Sequence, residues 1–516
     1  MKRFFSKTTS ILLIFLVIAA LQPEASYARP GGGHSYSSTK KKSSSSSKST
    51  YSTNNASSEK KSSYWDDVEV DKNRDVSDVD LPDWIAYAIL IVIVIVLAWI
   101  GINSLLEKNR NKTLVSAPSK VDIKEKQAII AANLRRIKAK DPNFSNTLFF
   151  DFVSSIFTKY YALHGTKEFK NLSPYLTPEE IIKHDKRKTK KEHTEIVIGS
   201  MNINTVYPGT TLISVDIAAN YTLVQKGKRT RYEVVERWSF KRNPDLLSPV
   251  PEKIRELSCP NCGASVGFTD TGTCESCGTL VKNGEMQWFV SSHNKQNQKA
   301  FETSGLAHYK KEKGTRFPTV YHPDNEKQLK QFIDNHKTSI DEWLPKFENK
   351  VVHEYFVRIY GAWSINKLNS IRHLLTDRLY ESYIFWIDAY KEESLTNKLD
   401  DLKIKKTELA KIEIDKFYES ITVRIHASVK DYVTDSTGKV IGGSARKNRK
   451  FSEYWTFIRR TGVETDNYDY GNCPNCSAPA DKMGQSGTCG YCNTKISNGD
   501  FSWVLAVITQ DEVYIG

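Results

Sequence analysis

ERWSFKR (236–242) and EYWTFIRR (453–460) are two versions of one phrase, and the residues after each decide how the chain is read. After the first come the cysteines of CPNCGASVGFTDTGTCESCG (259–278) and then NGEMQWFVSS. After the second come CPNCSAPADKMGQSGTCGYCN (473–493) and then NGDFSWVLAV. The step from the last cysteine to the next tryptophan is the same in both, Cys277 to Trp288 and Cys492 to Trp503. Chance does not keep that register, so two copies of one domain are expected.

Each copy reads alike upstream. The first has an apolar helix, NTLFFDFVSSIFTKYYALHG (146–165), then LSPYLTPEEIIKHD, then the strand-like runs EIVIGSMNINTVY, TLISVDIAANYTLVQKG and TRYEVVERWSFKR. The second has a helix over about 343–361, a helical run LNSIRHLLTDRLYESYIFWIDAYKEE (368–393), then LAKIEIDKFYESITVRIHASVKDYV and RKFSEYWTFIRR. Helices first and alternating strands afterwards predict an α+β fold, helices packed on one face of an antiparallel sheet. Ile421, Val423, Ile425 and Ala427 are expected to face the core, with Thr422, Arg424, His426 and Ser428 toward water. His426 is thus read as an exposed strand residue.

The cysteines form two C-x-x-C…C-x-x-C sets, Cys259, Cys262, Cys274 and Cys277, then Cys473, Cys476, Cys489 and Cys492. Two residues between thiolates let one tight turn bring both sulfurs to a metal, and two facing turns complete a tetrahedron. Such a turn needs an unusual backbone just after its second cysteine, where the chain has Gly263, Gly278, Ser477 and Asn493. The reading is two structural Zn2+ ribbons, each in the excursion between two sheet strands, with a rubredoxin-like iron, disulfides or empty thiols as alternatives. Four sulfurs leave no open coordination position for catalysis.

The first 28 residues carry Lys2, Arg3 and Lys7, an apolar run over 11–21, and small residues Ala25, Ser26 and Ala28, the pattern of a secretory signal peptide, with an uncleaved membrane helix as its alternative. Residues 29–80 are a Ser/Lys-rich segment, read as disordered, followed by an acidic one. LPDWIAYAILIVIVIVLAWIGINSLL (81–106) is uncharged from Trp84 onward and long enough to span a bilayer. Acids over 66–83 precede it, and Lys108, Arg110 and Lys112 come after it, which places the C-terminal side in the cytoplasm. Both arguments put the cysteines in a reducing compartment, the inner side of a bacterial cell membrane.

The remaining boundaries are a basic amphipathic helix or linker (107–140), domain 1 (141–293), a linker (294–325) and domain 2 (326–512). VDIKEKQAIIAANLRRIKAKD (121–141) either beds on anionic lipid or packs on its own domain. KHDKRKTKKEH (183–193) is read as a solvated loop, with lipid or nucleic-acid contact as alternatives. Glu179 and Glu180 stand at a helix start after Pro178. His164, His184, His193 and His373 are read as ordinary surface or core residues. No phosphate loop, nucleophile elbow or His-Glu metalloprotease motif occurs, so no catalytic residue is assigned.

AKDPNFSNTLFFDFVSSIFTKYYALHGTKEFKNLSPYLTPE (139–179), together with the later ERWSFKR, resembles the Tim-forty-four-like family, shared by a mitochondrial inner-membrane import subunit and bacterial membrane proteins. The D-P-N-F start, the helix, the L-x-x-YLT turn and the E-x-W-x-F-x-R strand carry the likeness over 140–293. Glu453, Trp455, Phe457 and Arg459 carry it more weakly over 340–510. The resemblance implies a curved-sheet cone with a large pocket, in a membrane-tethered protein of the protein-transport class. The cysteine ribbons depart from the mitochondrial pattern. The expected function is a membrane-anchored, non-enzymatic scaffold or adaptor for protein partners. The rivals are a small-ligand-binding or isomerase-like enzyme using the cone pocket, and a nucleic-acid-binding membrane protein.

Overall fold

The computed structural model describes residues 120–185, 191–249 and 314–463 and, with short internal gaps, 251–307 and 471–516. The expected signal peptide, the segment 29–80 and the expected membrane helix 81–106 lie outside the described residues. Among the described residues no helix is long and apolar enough to cross a membrane.

Helices α1 (Lys120–Lys140), α2 (Asn146–Ala162) and α3 (Pro178–Asp185) precede strands β1 (Glu192–Tyr207), β2 (Leu212–Gln225), β3 (Lys228–Lys241) and β4 (Phe289–Ala300). The strands form an antiparallel sheet in chain order. The Ser145 hydroxyl caps α2 by accepting from the Leu148 amide. Phe149, Phe152, Val153, Ile156, Phe157 and Tyr160 recur every three or four residues along α2 and are all buried, one apolar stripe laid on the sheet. Phe149 packs edge-on against Phe240 at 5.6 Å between ring centres, and Phe157 against Trp238 at 5.5 Å. Three bulges in β1 bend the sheet edge.

The second half repeats this order with α4 (Asn325–Asn335), α5 (Ile340–Phe347), a π turn (Glu348–His353), α6 (Glu354–Ser364) and α7 (Asp377–Glu392). Strands β5 (Thr396–Ile414), β6 (Tyr418–Thr434), β8 (Arg449–Arg460) and β9 (Val504–Gln510) pair antiparallel in that order, and the short β7 (Val440–Gly443) pairs with β6. β5 also carries three bulges. The protein is therefore α+β with two sheets, and each ribbon falls between the last two strands of its sheet.

The halves share surfaces. Val197, Ala218 and Val235 on sheet 1 join Phe301, Phe385 and Trp386 in one apolar cluster, while Leu148 of α2 packs with Tyr418, Ile458, Val504 and Ala506. Arg231 forms an ion pair with Glu392 at 2.5 Å across the same boundary.

Two expectations change. Ile421, Val423, Ile425 and Ala427 do face the core, yet the opposite face of β6 is covered too: Thr422, Arg424 and Ser428 are buried. The cover is the chain from Gly314 to Thr319 and the C-terminal turn. Arg424 donates to the carbonyls of Phe317 (2.7 Å) and Gly314 (3.1 Å), and pairs with Asp511 at 2.9 Å. His426 is half-buried, its Nε2 2.9 Å from Glu408.

The segment read as a linker, 294–325, consequently has structure at both ends. Residues up to Ala300 belong to β4, and near its other end the His322 amide donates to the Ala410 carbonyl at 3.0 Å. Of the two readings of 121–141, packing on the fold is the one seen for α1. Leu134 and Ile137 are buried in the first core, Lys138 pairs with Glu413 at 2.8 Å, and Arg135 bonds Asp324. Of the histidines read as surface or core residues, His164 and His184 are core residues, both buried. His184 Nε2 accepts from the Gly165 amide at 2.7 Å, and its ring stacks on Phe169 at 3.6 Å.

Candidate metal centres

Each tetrad is built from two backbone turns that close on themselves. The Gly263 amide donates to the Cys259 carbonyl (2.7 Å), Gly278 to Cys274 (2.9 Å), Ser477 to Cys473 (2.8 Å) and Asn493 to Cys489 (3.0 Å). All four donors sit in the left-handed region, at φ of 76°, 68°, 60° and 56°. Ser477 adopts it despite its side chain, which makes the turn geometry stronger than the residue preference there.

The sulfurs of Cys259 and Cys277 are 3.8 Å apart, those of Cys262 and Cys274 3.9 Å, those of Cys473 and Cys492 3.9 Å, and those of Cys476 and Cys489 3.8 Å. A tetrahedron with metal–sulfur bonds of about 2.3 Å places its sulfurs roughly 3.8 Å apart, whereas a disulfide needs about 2.05 Å. The eight cysteines are free thiols grouped in these two clusters, so the donor sets fit a tetrahedral dication such as zinc and exclude the disulfide alternative. Bound there, the ion would close each loop on itself and hold it folded.

The inner cysteine of each turn is buried, with Phe268 and Val281 around one pair and Met483 and Ile496 around the other. Electrostatics differs from sulfur to sulfur. Burial pushes the Cys259 thiol up to about 11. Hydrogen bonds from Thr279 and Asn261 pull Cys277 down to about 6, and those from Thr494 and Asn475 pull Cys492 down to about 5.

Both ribbons dock on the turn that comes after the first helical layer. Ser173 donates to the Thr269 carbonyl at 2.8 Å, and Asn283 to the Leu176 carbonyl at 2.7 Å. In the second half Asp377, at the start of α7, accepts from Lys495 (2.7 Å), Ser497 (3.1 Å) and Arg372. Neither Asp377 nor the two asparagines of the C-P-N-C turns, Asn261 and Asn475, were singled out from the sequence. The asparagines had a visible signal, the same third position in both turns, whereas Asp377 had none.

The E-x-W-x-F-x-R phrase makes matching contacts in both sheets. Glu236 is fully buried and accepts from Trp238 Nε1 (2.9 Å) and from the Tyr161 hydroxyl; Glu453 is also fully buried and accepts from Trp455 Nε1 (2.9 Å) and from Tyr360. Arg242 lies over the Trp288 ring at 4.6 Å, and Arg459 over Trp503 at 4.4 Å. Arg242 also reaches back to Asp141 of the D-P-N-F start. The equal cysteine-to-tryptophan spacing thus returns each tryptophan from its ribbon to the arginine at the end of the preceding strand.

The family model of the Tim44-like domain matches residues 344–470. That segment, from within α5 to past the end of β8, is similar to the Tim44-like domain, and it is the stretch over which the resemblance in sequence is the weaker one. No curated protein matches the chain.

Proposed function

We propose that the chain is a membrane-anchored, zinc-binding, non-enzymatic scaffold or adaptor of the protein-transport class, presenting two Tim44-like domains to the bacterial cytoplasm. The observation that carries it is the paired construction: in both halves a sulfur tetrad docks on a helix-and-sheet unit through the segment that comes after the first helical layer. In both, the Glu, Trp and Arg of one phrase also make the same contacts. On this reading residues 141–293 are a second copy of the matched domain. Four sulfurs saturate a tetrahedral ion, so each metal shapes a surface instead of activating a substrate. The helix-facing sides of the sheets are filled by the chain's own aromatics, Phe149 and Phe157 on one and Phe356 and Tyr360 on the other, which favours a binding exterior over an interior reaction chamber.

Metal analysis of the purified chain is expected to return two zinc ions, and well under two removes the ribbon reading. Crosslinking in intact membranes with mass spectrometry of the captured proteins tests the adaptor role, which fails if the domains capture nothing beyond what a chain ending at residue 119 captures. Labelling of the tetrads by an impermeant thiol reagent in metal-stripped intact cells would invert the proposed topology.

A further inference from the structure

Asn261 and Asn475 hold the third place in the two C-P-N-C turns, and neither is needed to close its own turn, which the backbone already does. Each side chain reaches into the facing turn instead. Asn261 Nδ2 lies 3.6 Å from Cys277 Sγ and 2.9 Å from Thr279 Oγ1; Asn475 Nδ2 lies 3.5 Å from Cys492 Sγ and 2.9 Å from Thr494 Oγ1. One amide with two N–H groups can serve both acceptors. The arrangement recurs although the loops between the turns differ in sequence and by one residue in length, GASVGFTDTGT against SAPADKMGQSGT. The turns share C-P-N-C and a threonine two residues after the last cysteine, and the bond joins those shared residues across loops that otherwise differ.

We propose that Asn261 and Asn475 are positioning residues that staple the two turns of each ribbon together and donate a hydrogen bond to an outer metal-bound thiolate, slowing release of the metal. This rests on the reading of the tetrads as metal centres. A donor to the sulfur withdraws charge from it and fixes its direction, and outer partners of this kind are worth about tenfold to hundredfold in metal affinity.

The test uses the full chain loaded with zinc or cobalt(II), a chromophoric chelator to follow release, and the thiolate-to-cobalt charge-transfer band. Asn261→Ala and Asn261→Asp, the latter of the same shape without the donor, are expected to release one of the two ions about tenfold to hundredfold faster. The band of that site should move to lower energy while the second site stays unchanged and reports an intact fold. Asn475→Ala should do the same in the other ribbon, so a folding failure at one site is settled at the other. Wild-type release with an unmoved band in the alanine variants, or wild-type behaviour of Asn261→Asp, overturns the proposal. A wild-type chain that binds fewer than two ions overturns the metal reading itself.

Discussion

Replacing Asp141 by Asn tests whether the D-P-N-F start and the arginine at the end of E-x-W-x-F-x-R form one structural unit. Asp141 Oδ2 accepts from Arg242 Nη2 at 2.5 Å, the Ser248 amide at 3.0 Å and the Ser248 hydroxyl at 2.6 Å, and both charged side chains are only 2% exposed. Asparagine keeps the shape but not the charge, leaving a buried guanidinium against a neutral amide. Breaking a buried pair from one side costs about 3–5 kcal/mol. Ser248 Oγ still meets Arg242 Nη1 at 3.0 Å, which puts the expected loss near the lower end, about 3 kcal/mol. Arg242→Met should cost a similar amount by stranding the carboxylate and uncovering Trp288. The double variant carries no buried charge at this place. Its cost should fall short of the sum by about 1.5–3 kcal/mol, the coupling of two residues in one network. Urea unfolding monitored by tryptophan fluorescence reads this: with a slope of about 3 kcal/mol per molar, each single variant lowers the midpoint by about 1 M. Costs that add within about 0.5 kcal/mol would refute the coupling and the reasoning behind it.

Cys259→Ser should drop the metal content from two ions to one and expose 259–278 to protease while 473–493 stays resistant; equal sensitivity of both ribbons would contradict independent metal sites. Tyr161→Phe and Tyr360→Phe each remove one donor from a buried glutamate and should cost about 1–3 kcal/mol in denaturant titration, whereas no loss would mean the bonds contribute nothing. Burial, then His164, pushes His193 down to about 3 from an ordinary value of 6.5, so the folded state binds this proton less readily than the unfolded chain. Its contribution is fully present above pH 6.5 and is lost as pH falls from there toward 3, so His193→Asn should flatten the stability profile in that window, and an unchanged profile would exclude it as a source.

The sulfur tetrads were readable without a structure because C-x-x-C is a local constraint: two intervening residues and a left-handed position fix where two sulfurs point. The same holds for the core face of β6, where alternation alone places Ile421, Val423 and Ile425 inside. The helices from Asn146 and Asp377 were legible for a similar reason, through apolar residues at three- and four-residue spacing. Strand β5 was only half legible, since TNKLDDLKIKKTE has too few apolar residues to signal a strand, and its partner β6 supplies the pairing instead.

The cover on a strand's second face comes from chain far away in sequence, and composition does not carry it. Arg424 looks solvent-bound by alternation, yet the carbonyls of Phe317 and Gly314 and the carboxylate of Asp511 enclose it. The helix at 120–140 left lipid and protein equally open because an apolar stripe with cations beside it suits either surface; Lys138 on Glu413 and Leu134 in the first core show that it packs on protein. The repeated Glu, Trp and Arg were visible as a phrase, but that its glutamate is a buried acceptor and its arginine a lid on the returning tryptophan emerged only in three dimensions. Spacing along the chain thus determined the cysteine tetrads and the layers, while tertiary packing determined the partners of buried charges such as Asp141, Glu413 and Arg424, which distant segments converge to solvate.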